Sequence, residues 1–146
     1  MPVLDLFSYL QGDWVLTRKI IDLKLNTPGF MNGTTAITKE PDKGEKAVLA
    51  YREEGELCFG DYKDKVFRNY EFCFLMAHKA LVLFSNGKIF YELDLSSGFA
   101  QVEHLCLKDT YRGSFRVVSS NVWLSKWQVS GPSKELILDN HYQRHK

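Results

Sequence analysis

From Gly12 to the C-terminus the chain alternates apolar and polar residues with a period of two, and Gly, Pro, Asn and Ser interrupt the alternation at short intervals. That rhythm leaves little room for anything but an antiparallel β-structure. The spacing predicts strands at Trp14–Ile21, Phe30–Thr38, Ala47–Glu54, a weaker Glu56–Phe59, Lys65–Leu75, Ala80–Ser85, Lys88–Leu93, Gln101–Lys108, Ser114–Ser119, Asn121–Val129 and Glu135–Arg144. Turns are expected at Asn26-Thr27-Pro28-Gly29, Pro41-Asp42-Lys43-Gly44 and Ser130-Gly131-Pro132-Ser133. Asn86-Gly87 reads as a type I′ hairpin turn, since both residues tolerate positive φ. Gly33 marks a bulge or a close backbone approach. Only Val3–Leu10 carries helical spacing, through Leu4, Phe7 and Leu10, and it reads as a cap over one end. About eight to ten short strands without a long linker or repeat predict one domain, 1–146, closed as an up-and-down β-barrel because closure removes edge strands.

The composition narrows the function. In 146 residues, 19 basic and 18 acidic side chains give a net charge of +1, too balanced to steer the protein to nucleic acid. Three cysteines without a C-x-x-C pair suggest neither a disulfide framework nor a zinc ribbon. No apolar run is long enough to span a membrane, and the first residues lack a basic signal-peptide start, so a cytoplasmic location is expected.

Period-two alternation also says which residues share a face. The apolar faces carry Trp14 and Leu16 with Arg18, Tyr51 with Glu53, Phe72 and Phe74 with Arg68 and Tyr70, Val102 with His104 and Cys106, Trp123 with Trp127, and Leu138 with Tyr142 and Arg144. Buried charge requires a partner. Glu53 balances one arginine, so three inward arginines leave an excess of positive charge suited to an anionic guest. For Arg144 the alternative is a cation–π stack on Trp14.

Gly12-Asp13-Trp14 after a short helix resembles the G-x-W signature of lipocalins, in which an arginine late in the barrel packs over the tryptophan. Arg144 is the matching position. Fatty-acid-binding proteins hold a carboxylate with Arg-x-Tyr, whereas this chain has Tyr142-Gln143-Arg144 and Arg68-Asn69-Tyr70. A more specific resemblance, to a bacterial family of unknown function in the calycin superfamily (DUF6314), spans nearly the whole chain. It is carried by Trp14 with Arg18, Tyr51-Arg52-Glu53-Glu54-Gly55, Arg68-Asn69-Tyr70, Asn86-Gly87-Lys88-Ile89-Phe90 and His104-Leu105-Cys106. Asp109-Thr110-Tyr111, Trp127-Gln128-Val129, Gly131-Pro132-Ser133-Lys134 and Tyr142-Gln143-Arg144 complete it, with Asn86 and Lys88 as mild departures. The resemblance implies a lipocalin-like barrel and no particular activity. More distantly the chain is similar to bilin lyases, which hold open-chain tetrapyrroles.

The expected function is therefore binding of a small amphipathic or anionic molecule, with Arg18, Tyr51, Glu53, Arg68, Tyr70, His104, Trp127, Tyr142 and Arg144 as ligand contacts. Haem on His104 or a linear tetrapyrrole would fit such a cavity. The alternatives are an enzyme drawing on His104, Cys106, Glu53 and Asp109 as acid, base or nucleophile, and a partner-binding barrel with a filled interior. The hairpin 80–93 is apolar on both faces, so either the N-terminal helix or a second copy of the chain is expected to cover it.

Overall fold

The computed structural model describes residues 1–145. A short helix, α1 (Leu6–Leu10), precedes ten strands: β1 (Gly12–Asp22), β2 (Thr27–Lys43), β3 (Lys46–Phe59), β4 (Tyr62–Met76), β5 (Lys79–Phe84), β6 (Ile89–Asp94), β7 (Phe99–Cys106), β8 (Asp109–Ser119), β9 (Val122–Ser130) and β10 (Glu135–Arg144). They form one antiparallel sheet in the order β6-β5-β4-β3-β2-β1-β10-β9-β8-β7. Each strand pairs with its sequence neighbours except across the β6–β7 connection, and β1 pairs with β10. The sheet curls until its two edges, β6 and β7, meet: Phe90 of β6 lies 5.2 Å from His104 of β7, ring to ring. The result is a nearly closed up-and-down barrel, as the alternation predicts.

The strands alternate as expected because one face of each meets the interior and the other meets water. Along β1 the odd positions Val15, Thr17 and Lys19 are exposed, while Trp14, Leu16 and Arg18 are buried. Several boundaries differ from the sequence reading. Glu56–Phe59 is the continuation of β3, and Pro28 and Gly29 lie inside β2 near its start, where a missing N–H costs least. At Asn86-Gly87 only Gly87 has positive φ, at 86°. The Gly87 N–H bonds to the Phe84 carbonyl and the Phe84 N–H to the Lys88 carbonyl, so the connection is a three-residue loop with a left-handed glycine rather than type I′.

One end of the barrel is closed. Asp5 caps α1 by accepting the Ser8 N–H, and Leu6 and Leu10 are wholly buried. Phe7 meets Phe74 edge-on at 5.3 Å, and the Trp14 indole N–H donates to the Leu10 carbonyl at 2.9 Å. Arg144 locks this end. Its guanidinium lies 4.2 Å from the Trp14 ring and donates to the backbone carbonyls of Tyr9, Gln11 and Ser120. The helix thus covers the end of the barrel and not the outer face of the 80–93 hairpin. A register shift after Val82 makes Phe90 an extra residue in that hairpin, whose Leu81 and Leu83, on the outward parity, stay half-buried and whose Ile89 is exposed. Phe90 and Tyr91 both meet Trp127, at 5.2 Å each.

Candidate functional site

The barrel interior holds a polar chain inside an aromatic lining. Arg18 Nη1 and Nη2 donate to Glu53 Oε2 and Oε1, each at 2.9 Å, in a fork-to-fork pair whose side chains are 7% and 2% exposed. Arg18 Nε donates to Asn140 Oδ1, Asn140 Nδ2 to Ser125 Oγ at 2.9 Å, and Arg18 Nη1 also meets Met31 Sδ at 3.3 Å. On the other side the Tyr51 hydroxyl donates to Glu53 Oε1 at 2.6 Å. Its only proton is thereby used, so Tyr142, 2.7 Å away, donates to the Tyr51 oxygen.

Register explains how Arg18 reaches Glu53. Glu53 lies in the row of Thr35 and Trp14, whereas Arg18 lies in the row of Met31 and Leu57. Between them sits the row of Leu16, Gly33 and Gly55. A Cβ on Gly33 would come within 2.1 Å of the Glu54 carbonyl oxygen. The two backbones approach that closely because neither glycine carries a side chain, and the same vacancy leaves a lane across β2 for the guanidinium. Gly33 is therefore the close-approach point, and the bulge in β2 falls instead between Glu40 and Lys43.

Electrostatics follow from this packing. Burial alone would push the Glu53 carboxyl up, but the Arg18 hydrogen bonds and charge, the Tyr51 hydroxyl and the nearby Arg68 together hold it below the usual carboxylate range. Burial likewise works against the Arg18 charge, and Glu53 outweighs it, raising the guanidinium further. Burial raises Tyr51 and Tyr142, and the Glu53 charge adds to it, so both hydroxyls keep their protons. The buried chain is a neutral, satisfied pair with neutral donors around it.

The expected interior excess of charge thus contracts to one residue. Arg18 is matched by Glu53, and Arg144 leaves the expected ligand set for the closed end. A guanidinium stacked on indole with backbone acceptors is better satisfied there than inside. Arg68, paired in register with Glu53 on the inward parity of β4, is exposed at the open end and has no ion pair with a carboxylate among the described residues. Half-buried Tyr70, Trp127, His104 and Tyr111 stand around the same end, with Ile20, Leu57, Val66 and Leu138 between them. Arg68 is exposed among them, and the Arg18–Glu53 pair is buried. Trp127 owes its position to Gly113, where an added Cβ would meet the indole ring at 2.8 Å.

The other expected residues are not assembled into a reaction centre. Asp109 lies 3.6 Å from Lys134 and directly against Gly131. Cys106 is exposed at the end of β7. His104 is boxed by the rings of Phe84, Phe90 and Tyr111, a packing environment rather than a hydrogen-bonded one beside Glu53. No cluster of three or more His, Cys, Asp or Glu able to hold a metal occurs among the described residues, and no helix there is long and apolar enough to cross a membrane. Deeper in, Phe115, Trp123 and Tyr142 fill the axis, with Trp123 stacked on Tyr142 at 3.7 Å. A surface depression of about 500 Å³ lies on the outer wall over Leu124, Ser114 and Phe99. It lies on the outward side of the sheet, and its rim cation Lys126 faces Asp139 at 3.9 Å.

Asn140, Ser125 and Tyr91 escape the sequence reading. The first two share the parity of Leu138 and Tyr142, and of Trp123 and Trp127, and parity was the available signal. Tyr91 has none, because the bulge reverses its face.

Fold and closed-end clamp together define a calycin barrel of the lipocalin type. The chain belongs to the family of unknown function DUF6314, whose family model matches residues 10–144. No protein of curated function matches it. Among solved structures it is similar to the S-type phycobiliprotein lyase CPES from Guillardia theta, with TM-score 0.78, 11% identity, and coverage of 100% of this chain and 94% of that one. It is also similar to a protein of unknown function from the DUF3598 family of Nostoc punctiforme, with TM-score 0.63, 14% identity, and coverage of 99% and 51%. The structure of EF1p2_mFAP2b bound to DFHBI gives TM-score 0.51 at 10% identity, covering 97% and 98%. At these identities the likeness is one of fold.

Proposed function

We propose that this protein binds a small amphipathic molecule bearing an acidic group among the inward side chains at the open end of the barrel. The observation that carries the reading is Arg68: a guanidinium on an inward-facing position, without an ion-paired carboxylate among the described residues, set beside aromatic side chains that are only half buried. A carboxylate on Arg68 gains a charge-assisted bond, while Trp127, Tyr70 and His104 receive the apolar body. Tyr51, Glu53 and Tyr142 are buried with Arg18, and Glu53 offers acceptor capacity to a donor on the ligand. Linear tetrapyrroles combine acidic side chains, N–H donors and a long apolar frame, and the fold of a phycobiliprotein lyase supports them as the first probe. The role is to carry or sequester the molecule without transforming it.

The filled axis favours one alternative, a barrel that binds a partner and takes up no ligand. Native mass spectrometry with an absorption spectrum after incubation with biliverdin, haem and a fatty acid separates the two. A one-to-one adduct supports the binding reading. A bare chain throughout the panel supports the filled barrel.

A further inference from the structure

The chain has six arginines, and four of them are held by the fold. Arg18 is paired with Glu53, Arg52 with Glu40 at 3.1 Å and Arg112 with Glu103 at 3.1 Å, and Arg144 is bound by backbone carbonyls and the Trp14 ring. Among the described residues Arg68 and Arg116 have no ion pair with a carboxylate. Arg116 is exposed on the outward face of β8, and register sets Phe99 of β7 and Leu124 of β9 directly opposite it. Neither neighbour can answer its charge.

Arg116 lines the outer-wall depression of about 500 Å³, as do Lys19 and Lys126, and Asp139 is the only carboxylate there among the described residues. Asp139 lies between the two lysines, opposite Lys19 of β1 and opposite Lys126 of β9. Three lysine and arginine side chains thus face one carboxylate, a local excess of two positive charges. Lys126 is also opposite Ser114, which shares its face of β8 with Arg116 two residues on. Lys126 and Arg116 are therefore diagonal neighbours, with backbones about 7–8 Å apart, and two long side chains at that spacing can meet on one anion. An exposed cation alone is simply solvated; here like charges gather beside apolar surface. Two other depressions lack this excess. In one of about 580 Å³, Lys43 and Arg52 are already paired with Glu71 and Glu40, and in one of about 340 Å³, Lys65 stands against Glu54 and Glu56.

We propose that this depression is a second binding site, separate from the interior, for a small organic phosphate monoester. A monoester carries close to two negative charges at neutral pH, which matches the excess of two, whereas a carboxylate or a phosphodiester carries one. Its oxygens accept N–H groups of Arg116 and Lys126 in charge-assisted bonds, and the Ser114 hydroxyl donates a third. Phe99, 51% exposed opposite Arg116, and half-buried Leu124 offer an apolar surface to the body of the ester. The site goes beyond the ligand reading and does not rest on it, because its side chains lie on the outward face of β7, β8 and β9.

The test is isothermal titration calorimetry of the full chain, at low salt and neutral pH, with naphthyl phosphate and with naphthoate, which share a ring system and differ in charge. Both probes are titrated into wild type and into Arg68→Met, so that binding in the interior is told from binding here, which persists in the variant. In Arg68→Met, naphthyl phosphate is expected to bind one-to-one with Kd below about 1 mM, and naphthoate several-fold more weakly. Adding Arg116→Gln is expected to weaken the phosphate about fivefold or more. Arg116 is exposed, so thermal unfolding should not change with that substitution. Absence of saturable phosphate binding to Arg68→Met, equal affinity for phosphate and carboxylate in that variant, or undiminished binding after Arg116→Gln would overturn the proposal. Failure of the interior reading shows separately, as identical binding by wild type and Arg68→Met.

Discussion

Removing Glu53 alone is expected to damage the fold more than removing Glu53 and Arg18 together. In Glu53→Leu the Arg18 guanidinium, 7% exposed, loses two hydrogen bonds of 2.9 Å and keeps only Asn140 and the Met31 sulfur. Stranding a buried charge in this way costs about 3–5 kcal/mol. For a chain of this size that corresponds to a fall in Tm of roughly 10 °C. Arg18→Met strands the carboxylate in the same way, though Tyr51 still donates to it and it can take up a proton. The double variant Arg18→Met, Glu53→Leu leaves neither charge, and its cost reduces to the unpaired Tyr51 hydroxyl and Asn140 amide, about 1–3 kcal/mol. Urea unfolding followed by tryptophan fluorescence measures all three, because Trp14, Trp123 and Trp127 lie inside the barrel. The expected coupling between the two sites exceeds about 2 kcal/mol. Additivity within about 0.5 kcal/mol would show that the two side chains do not share a buried pair, and the electrostatic account of the interior would fall.

The acid limb of stability tests the same pair. Because Glu53 is held below its ordinary range in the folded state, its contribution is present above the unfolded value of about 4.3 and is lost as pH falls through the folded value. Unfolding midpoints recorded from neutral to acidic pH should therefore be flatter in Glu53→Gln than in wild type, from a lower starting stability. At the closed end, Arg144→Met forfeits the stack on Trp14 and the bonds to Tyr9, Gln11 and Ser120 carbonyls, so a loss of about 2–3 kcal/mol is expected by urea unfolding. Ligand binding at the open end should survive that change. Gly113→Ala places a methyl group against the Trp127 ring and should cost about 1–3 kcal/mol, with a shift in tryptophan emission as the ring moves.

Much of this architecture is legible in the sequence because period two is a direct consequence of one wet face and one dry face. Trp14 and Arg144 are readable as a pair from the G-x-W start, and Glu53 as an arginine's partner from its inward parity. Which arginine it holds is not readable. Register puts Arg68 directly opposite Glu53, but the strand tilt and the side-chain-free positions Gly33 and Gly55 give it to Arg18 instead. Asn140 and Ser125 hide because a short polar residue within an apolar run resembles an interruption, although its neighbours fix its face. Phe90 and Tyr91 defeat parity because the bulge inserts a residue that no local signal announces.

The central claim is that Arg68 receives the acidic group of a ligand at the mouth of the barrel. Its exposure lowers the stake below the 2–5 kcal/mol of a fully buried charge pair, to about 1.4 kcal/mol, which is tenfold. Titration of wild type and Arg68→Met with biliverdin, followed by the quenching of tryptophan fluorescence, measures it most directly. The account predicts saturable one-to-one binding to wild type and about tenfold weaker binding to the variant, with unchanged thermal stability. Equal affinity of the two proteins, or no saturable binding to wild type, would contradict it.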